Sequence, residues 1–173
     1  ELQKSEVKIC GVVGFPLGAM SSESKLFEAQ SALSDGADEI DMVMNIGLLK
    51  SHDYDAFAED IRAIKKIMPN KVLKVILETC YLDDDEIIKA SSIAIECGAD
   101  FIKTSTGFGT EGATVKNIRL MKYAAHKSNT KLKASGGIRN YNIAKEFIDL
   151  GVDRLGLSSS IAIVDGSTGT SDY

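Results

Sequence analysis

The chain takes the same short step three times: Gly36-Ala37-Asp38, Gly98-Ala99-Asp100 and Gly151-Val152-Asp153 each follow an amphipathic stretch and lead into a hydrophobic run. A glycine at that join is what a helix C-terminus needs, because it accepts the left-handed conformation that stops the helix. Two further joins, around Pro69-Asn70-Lys71 and Asn129-Thr130-Lys131, make the same change without the signature. Candidate strands therefore begin near Lys8, Glu39, Lys71, Phe101, Lys131 and Asp153. The first four intervals are about thirty residues, the size of one strand-plus-helix unit.

The segments between the strands carry helical periodicity. From Asp53 to Met68 the apolar residues Tyr54, Phe57, Ala58, Ile61, Ile64 and Met68 fall on one stripe, as three- and four-residue steps require. Ser22 to Ser34 repeats the pattern with Leu26, Ala29 and Leu33. Asp83 to Cys97 opens on Asp83, Asp84, Asp85 and Glu86, where the helix dipole favours negative charge. Asn140 is an N-cap candidate ahead of Ile143, Ala144, Phe147 and Ile148. Strands alternating with helices make a parallel sheet, and right-handed crossovers leave an open doubly wound sheet or a closed barrel. An eight-unit barrel typically takes about 250 residues, so 173 residues fall about two units short.

Composition removes several classes of function. With 44% hydrophobic and 26% charged residues the chain has the make-up of a globular domain. The N-terminus is polar and no apolar run approaches membrane-spanning length, so neither a secretory signal nor a membrane partner is expected. Twenty Lys and Arg against 25 Asp and Glu give a net charge of −5, which lacks the basic face nucleic acid demands. Three cysteines without metal spacing and two histidines point to a reducing, cytoplasmic setting with no metal site and no cofactor.

Ionisable residues inside apolar strands are informative, because a buried charge is costly unless it is paired or used. Asp41 interrupts Ile40-Asp41-Met42-Val43, Lys103 ends Phe101-Ile102-Lys103, and Lys133 stands in Leu132-Lys133-Ala134. On the two-residue strand period Lys74 and Glu78 share a face, opposite Leu73, Val75 and Leu77. Active sites of parallel barrels lie at the C-terminal ends of the strands, where this sequence is rich in small residues. Thr104 to Gly107, with Thr106, Ala134 to Arg139, with Gly136 and Gly137, and Gly156 to Ser160, with Ser158 and Ser159, offer backbone amides without side-chain obstruction. The last two segments hold the expected phosphate position, Gly136, Gly137, Ser158 and Ser159, and the glycine pair precedes a helix N-terminus. An ordinary lysine, with a pKa of roughly 10.4, is protonated at neutral pH. A second cation beside it and partial desolvation free the amine for attack on an aldehyde or ketone, the chemistry of a metal-free aldolase.

Phe101-Ile102-Lys103-Thr104-Ser105-Thr106-Gly107, Lys133-Ala134-Ser135-Gly136-Gly137-Ile138-Arg139 and Glu39-Ile40-Asp41-Met42-Val43 resemble the signatures of the 2-deoxyribose-5-phosphate aldolases. Gly14-Phe15-Pro16-Leu17-Gly18, Leu73 to Thr79 and the Ser171-Asp172-Tyr173 ending are similar to the same family. The resemblance implies an α/β fold of the TIM (β/α)8 barrel type in one domain, 1–173, with 165–173 a flexible C-terminal tail. It implies reversible cleavage of 2-deoxy-D-ribose 5-phosphate to D-glyceraldehyde 3-phosphate and acetaldehyde, a catabolic reaction of the cytoplasm. Lys103 falls on the family's Schiff-base lysine, Lys133 on the lysine that tunes it, Asp41 on the carboxylate of the proton relay, and Tyr173 on a tail that protonates the enamine carbon. The implied phosphate contacts fall on Thr106, Gly107, Gly136, Gly137, Arg139, Gly156, Ser158 and Ser159.

Family members carry two further N-terminal βα units with an Asp-x-Thr motif. The six units here are accordingly expected to be strands three to eight, completed by the rest of the same polypeptide or by a separate N-terminal segment. A homodimer or homotetramer is the expected assembly. Two alternatives share these residues: a non-catalytic barrel fragment that binds a phosphate ligand, and a Schiff-base aldolase for another sugar phosphate.

Overall fold

In the computed structural model, which describes residues 5–167, six strands pair side by side in chain order, all parallel. They are β1 (Cys10–Val13), β2 (Glu39–Val43), β3 (Val72–Ile76), β4 (Phe101–Lys103), β5 (Lys131–Ser135) and β6 (Arg154–Gly156). Each opens within two residues of its predicted start. The crossovers carry α1 (Ser22–Ser34), α2 (Ile46–Lys50), α3 (Tyr54–Ile67), α4 (Asp84–Glu96), α5 (Val115–Ala125) and α6 (Tyr141–Asp149), and α7 (Ser160–Val164) follows β6.

The repeated glycine and aspartate have separate tasks. At the end of α1, Gly36 takes φ 105°, its N–H donates to Leu33 O, and the Ala37 N–H reaches back to Ala32 O. That pair of bonds is a Schellman stop. Gly98 and Gly151 close α4 and α6 with the same two bonds. The aspartate two residues on then grips the neighbouring strand. Asp38 Oδ2 accepts from the Ile9 N–H, Asp100 Oδ2 from the Leu73 N–H and Asp153 Oδ2 from the Leu132 N–H, at 2.8–2.9 Å. Each aspartate therefore sets the register of its strand against the strand before it.

The helices bury their stripes on the outer face of the sheet. Phe57, Ile61 and Ile64 of α3 and Ile87, Ala90 and Ala94 of α4 pack with Ile40, Met42, Leu73, Val75 and Ile102 in one continuous cluster. Each large apolar side chain fully buried there contributes about 1.5–3 kcal/mol. The predicted cap Asn140 is in place on α6; Asp53 caps α3, and Asp83 with Glu86 forms a capping box on α4.

The other face of the sheet is concave. The Arg154 guanidinium of β6 lies 2.6 Å from Glu39 Oε2 of β2. In a flat sheet four inter-strand spacings would separate those strands by roughly 19 Å, so the sheet must curl for the pair to form. Just past α7, the N–H groups of Asp165, Gly166 and Ser167 donate to the carbonyls of Ile161, Ile163 and Ala162. The expectation for 168–173 lies outside the described residues. Among the described residues no helix is long and apolar enough to cross a membrane.

Candidate active site

The concave face gathers the charges that the sequence placed inside the strands. Asp41 of β2 is 2% exposed, and its two oxygens are divided between cations. Oδ2 accepts from Lys103 Nζ of β4 and Lys133 Nζ of β5, each at 2.8 Å, while Oδ1 accepts from Lys74 Nζ of β3 at 2.8 Å. Lys74, fully buried, also lies 2.5 Å from Glu39 Oε2, which Arg154 shares. The Cys10 thiol donates to Asp41 Oδ1 at 3.1 Å. Two carboxylates and four cations thus form one continuous network across β2 to β6.

Electrostatics separate the roles of the lysines. Burial pushes the Lys103 amine below the ordinary lysine value, and Lys133 pushes the same way against the opposing pull of Asp41. Burial also acts on Lys74, but Asp41 and Glu39 outweigh it and raise that group. Burial would raise Asp41, yet Lys103 and Lys133 more than offset it and hold the carboxyl well below the usual carboxylate range. At neutral pH the site therefore holds an ionised Asp41, a charged Lys74, and in Lys103 an amine displaced toward its neutral, nucleophilic form.

A cleft of about 210 Å³ opens directly over Lys103. Thr106, Gly107, Ser135, Gly136, Gly137, Ile138, Gly156, Leu157 and Ser158 complete its lining. Gly107, Gly136 and Gly137 have φ of 94°, 80° and 74°, and among the described residues none of their N–H groups donates to another protein group. Such amides suit an anion. Gly156 keeps the floor open, because a Cβ there would stand 2.7 Å from that of Ser135. The loop after β4 and the loop after β5 touch where Gly112 meets Gly136: a Cβ on Gly112 would lie 2.2 Å from the Gly136 carbonyl. Thr104 extends the β4–β5 pairing beyond the strands, its hydroxyl donating to Ser135 O and accepting from the Ser135 N–H.

Of the residues singled out in the sequence, Lys103, Thr106, Gly107, Gly136, Gly137, Gly156 and Ser158 line the cleft, with Lys133 and Asp41 bonded beneath it. Arg139 is exposed and does not line it, because the chain there is already turning into the Asn140 cap. Ser159 stands one residue past the rim, at the N-cap of α7. Tyr173 lies outside the described residues. The α6 terminus is capped by Asn140, whose Oδ1 accepts from Ile143 N–H, so the free donors come from the glycines preceding it. Glu78 takes no part in the ion pairs of Lys74. It leaves the strand with φ 53° and ψ 62°, and its carboxylate accepts from the N–H and hydroxyl of Thr106. Lys74 had only a strand-face signal, and the lining residues Ser135, Ile138 and Leu157 had none beyond their place in the loops.

Residues 2–153 match the model of the DeoC/LacD family aldolases. A deoxyribose-phosphate aldolase of Finegoldia magna is 54% identical over 95% of this chain and 77% of its own length. One from Lactococcus lactis subsp. lactis is 52% identical over 100% of this chain and 78% of its own. Among solved structures, the deoxyribose phosphate aldolase of Aeropyrum pernix, described as a unique tetramer, superposes with a TM-score of 0.85 at 35% identity, covering 92% of this chain and 67% of that one.

Proposed function

Since this chain belongs to the DeoC/LacD family of aldolases, we propose that it cleaves 2-deoxy-D-ribose 5-phosphate reversibly to D-glyceraldehyde 3-phosphate and acetaldehyde, with Lys103 as the Schiff-base amine. The observation that carries this reading is the shared oxygen: Lys103 and Lys133 both donate to Asp41 Oδ2 under the glycine-lined cleft. One lysine is the nucleophile and the other the cation that keeps it partly neutral.

The neutral Lys103 amine adds to the substrate aldehyde carbon to give a carbinolamine. Loss of water from that adduct leaves an iminium. The carbon–carbon bond between C2 and C3 then breaks. Its electron pair moves into the iminium to form an enamine, and the C3 hydroxyl proton leaves through water toward Asp41. D-glyceraldehyde 3-phosphate departs, the enamine carbon takes a proton, and hydrolysis releases acetaldehyde and regenerates the amine. The phosphate rests on the amides of Gly107, Gly136 and Gly137 and on the Gly156–Ser158 rim. The curl of the sheet, and the apolar Ile9 just before β1 and Val12 within it, both exposed, support reading the six strands as the larger part of an eight-stranded barrel.

Borohydride reduction in the presence of acetaldehyde tests the assignment. The expected product is an N-ethyl lysine at position 103, located by peptide mass spectrometry, together with release of D-glyceraldehyde 3-phosphate from the substrate. A folded protein that yields no adduct at Lys103 refutes it.

A further inference from the structure

Glu78 is a buried carboxylate outside the lysine network. It is 2% exposed, and among the described residues it forms no ion pair. Among the described residues its carboxylate accepts hydrogen bonds from one residue. The Thr106 N–H donates to Oε1 at 3.1 Å and to Oε2 at 3.3 Å, and the Thr106 hydroxyl donates to Oε2. That hydroxyl in turn accepts from the Phe108 N–H at 3.0 Å. Gly109 wraps behind the carboxylate, where a Cβ would lie 3.2 Å from Glu78 Cδ. A charge taken out of water at the end of a strand is thus spent on the turn that walls the cleft.

The backbone is arranged for the same end. Glu78 is one of two non-glycine residues with positive φ among the described residues, a conformation glutamate adopts reluctantly. Had β3 continued in extended form, the two-residue period would have turned Glu78 into the concave face on the side of Ile76, whose register partner is Lys103. A second carboxylate there would hold Lys103 protonated. With the left-handed turn, the carboxylate bonds to Thr106 and forms no ion pair with Lys103. Thr106 then has its N–H and hydroxyl proton both committed to Glu78, and the Gly107 amide is held between two fixed neighbours with its N–H free to face the cleft.

The geometry points to Glu78 as the positioning residue for the phosphate wall: it fixes the Thr106–Phe108 turn so that the Gly107 amide meets the phosphate group of the substrate. This inference rests on the reading of the cleft proposed above.

The test compares Glu78→Ala, Glu78→Asp and Thr106→Val with the parent protein. Glu78→Ala and Thr106→Val each raise KM for 2-deoxyribose 5-phosphate about tenfold, the order expected for losing one hydrogen bond to a charged group. Glu78→Ala changes kcat/KM for unphosphorylated 2-deoxyribose by no more than about twofold, since that substrate makes no use of the wall. Glu78→Asp keeps the charge and accepts the left-handed backbone more readily, but its carboxylate is one methylene short, so it resembles the alanine variant. An aspartate variant equal to the parent shows that backbone shape or charge alone matters and overturns the proposal. Thr106→Val leaves the buried carboxylate in place and keeps the question answerable if the Glu78 variants fold poorly.

Calorimetric titration with inorganic phosphate gives a readout independent of the chemistry, with about tenfold weaker binding expected in the Glu78→Ala and Thr106→Val variants. Unchanged phosphate affinity in both variants, or no binding by the parent, overturns the role of Glu78. Failure of the parent to form the borohydride adduct instead overturns the assignment of Lys103, and the phosphate titration still decides the role of Glu78.

Discussion

Lys103 and Lys133 occupy register-paired positions on adjacent parallel strands and donate to the same oxygen of the same carboxylate, Asp41 Oδ2, each at 2.8 Å. Two ammonium groups converging on one oxygen repel each other, and burial together with Lys133 lowers the Lys103 pKa. Lys133→Leu removes that repulsion and raises the Lys103 pKa. The acidic limb of the pH–rate profile then moves to higher pH, and turnover falls more at neutral than at alkaline pH. An unmoved acidic limb means that Lys133 acts in some other way.

Lys103→Ala and Lys103→Arg lower kcat by about 10³-fold or more, because one has no amine and the guanidinium of the other stays protonated. Single-turnover assays with 2-deoxyribose 5-phosphate check this. Retention of the borohydride adduct at another lysine would move the assignment there.

Asp41→Asn lowers kcat far more than it raises KM, since the carboxylate moves protons, and it also destabilises the fold. Removing the shared partner of the buried Lys74 and Lys103 and of the partly buried Lys133 costs about 3–5 kcal/mol. The folded-state pKa of Asp41 lies below its unfolded value, so its stabilisation is present in full above the unfolded carboxylate value of about 3.9. It is lost as pH falls from there through the folded value. In urea denaturation at a series of pH values, the gap between parent and variant therefore stays constant down to about pH 4 and narrows below it.

Lys25 and Asp60 form a second buried ion pair at 2.6 Å, joining α1 to α3 behind the sheet. Asp60 Oδ1 has no hydrogen-bond partner among the described residues, so the pair is under-satisfied. Lys25→Met leaves an uncompensated carboxylate and costs about 3–5 kcal/mol, whereas the double variant Lys25→Met with Asp60→Leu recovers most of that loss. Urea denaturation of the two single variants and the double variant closes the cycle, and additive losses would count against coupling.

The repeated glycine and aspartate made the fold readable, because each is a local device with a local cause: a helix stop at Gly36 and a grip on the Ile9 N–H by Asp38. Asp41, Lys103 and Lys133 were readable because charge inside an apolar strand has few explanations. The remainder depended on geometry that no window of sequence contains. The Glu39–Arg154 contact exists because the sheet curls, and a period-two pattern carries no sign that Glu78 will turn left-handed at the end of β3. The five-residue α2 is too short to show a helical stripe. Arg139 carried a charge suited to phosphate, but its side chain is exposed and does not line the cleft.

The contact between Gly112 and Gly136 ties the histories of two loops together. With a Cβ on Gly112 placed 2.2 Å from the Gly136 carbonyl, Gly112 accepts no side chain while the other loop stays where it is, and at Gly136 a Cβ would crowd Gly112 Cα at 3.0 Å on a backbone whose φ of 80° already strains any side chain. A variant at one of them is tolerated only in a background where the facing loop has already withdrawn, so a single-step path through either is closed. Adaptation of the cleft to a longer or bulkier aldehyde must then run through wall positions that already carry side chains, Ile138 and Leu157, where volume can be exchanged without moving backbone. Libraries aimed at new substrates should sample those two positions and leave the glycine pair fixed.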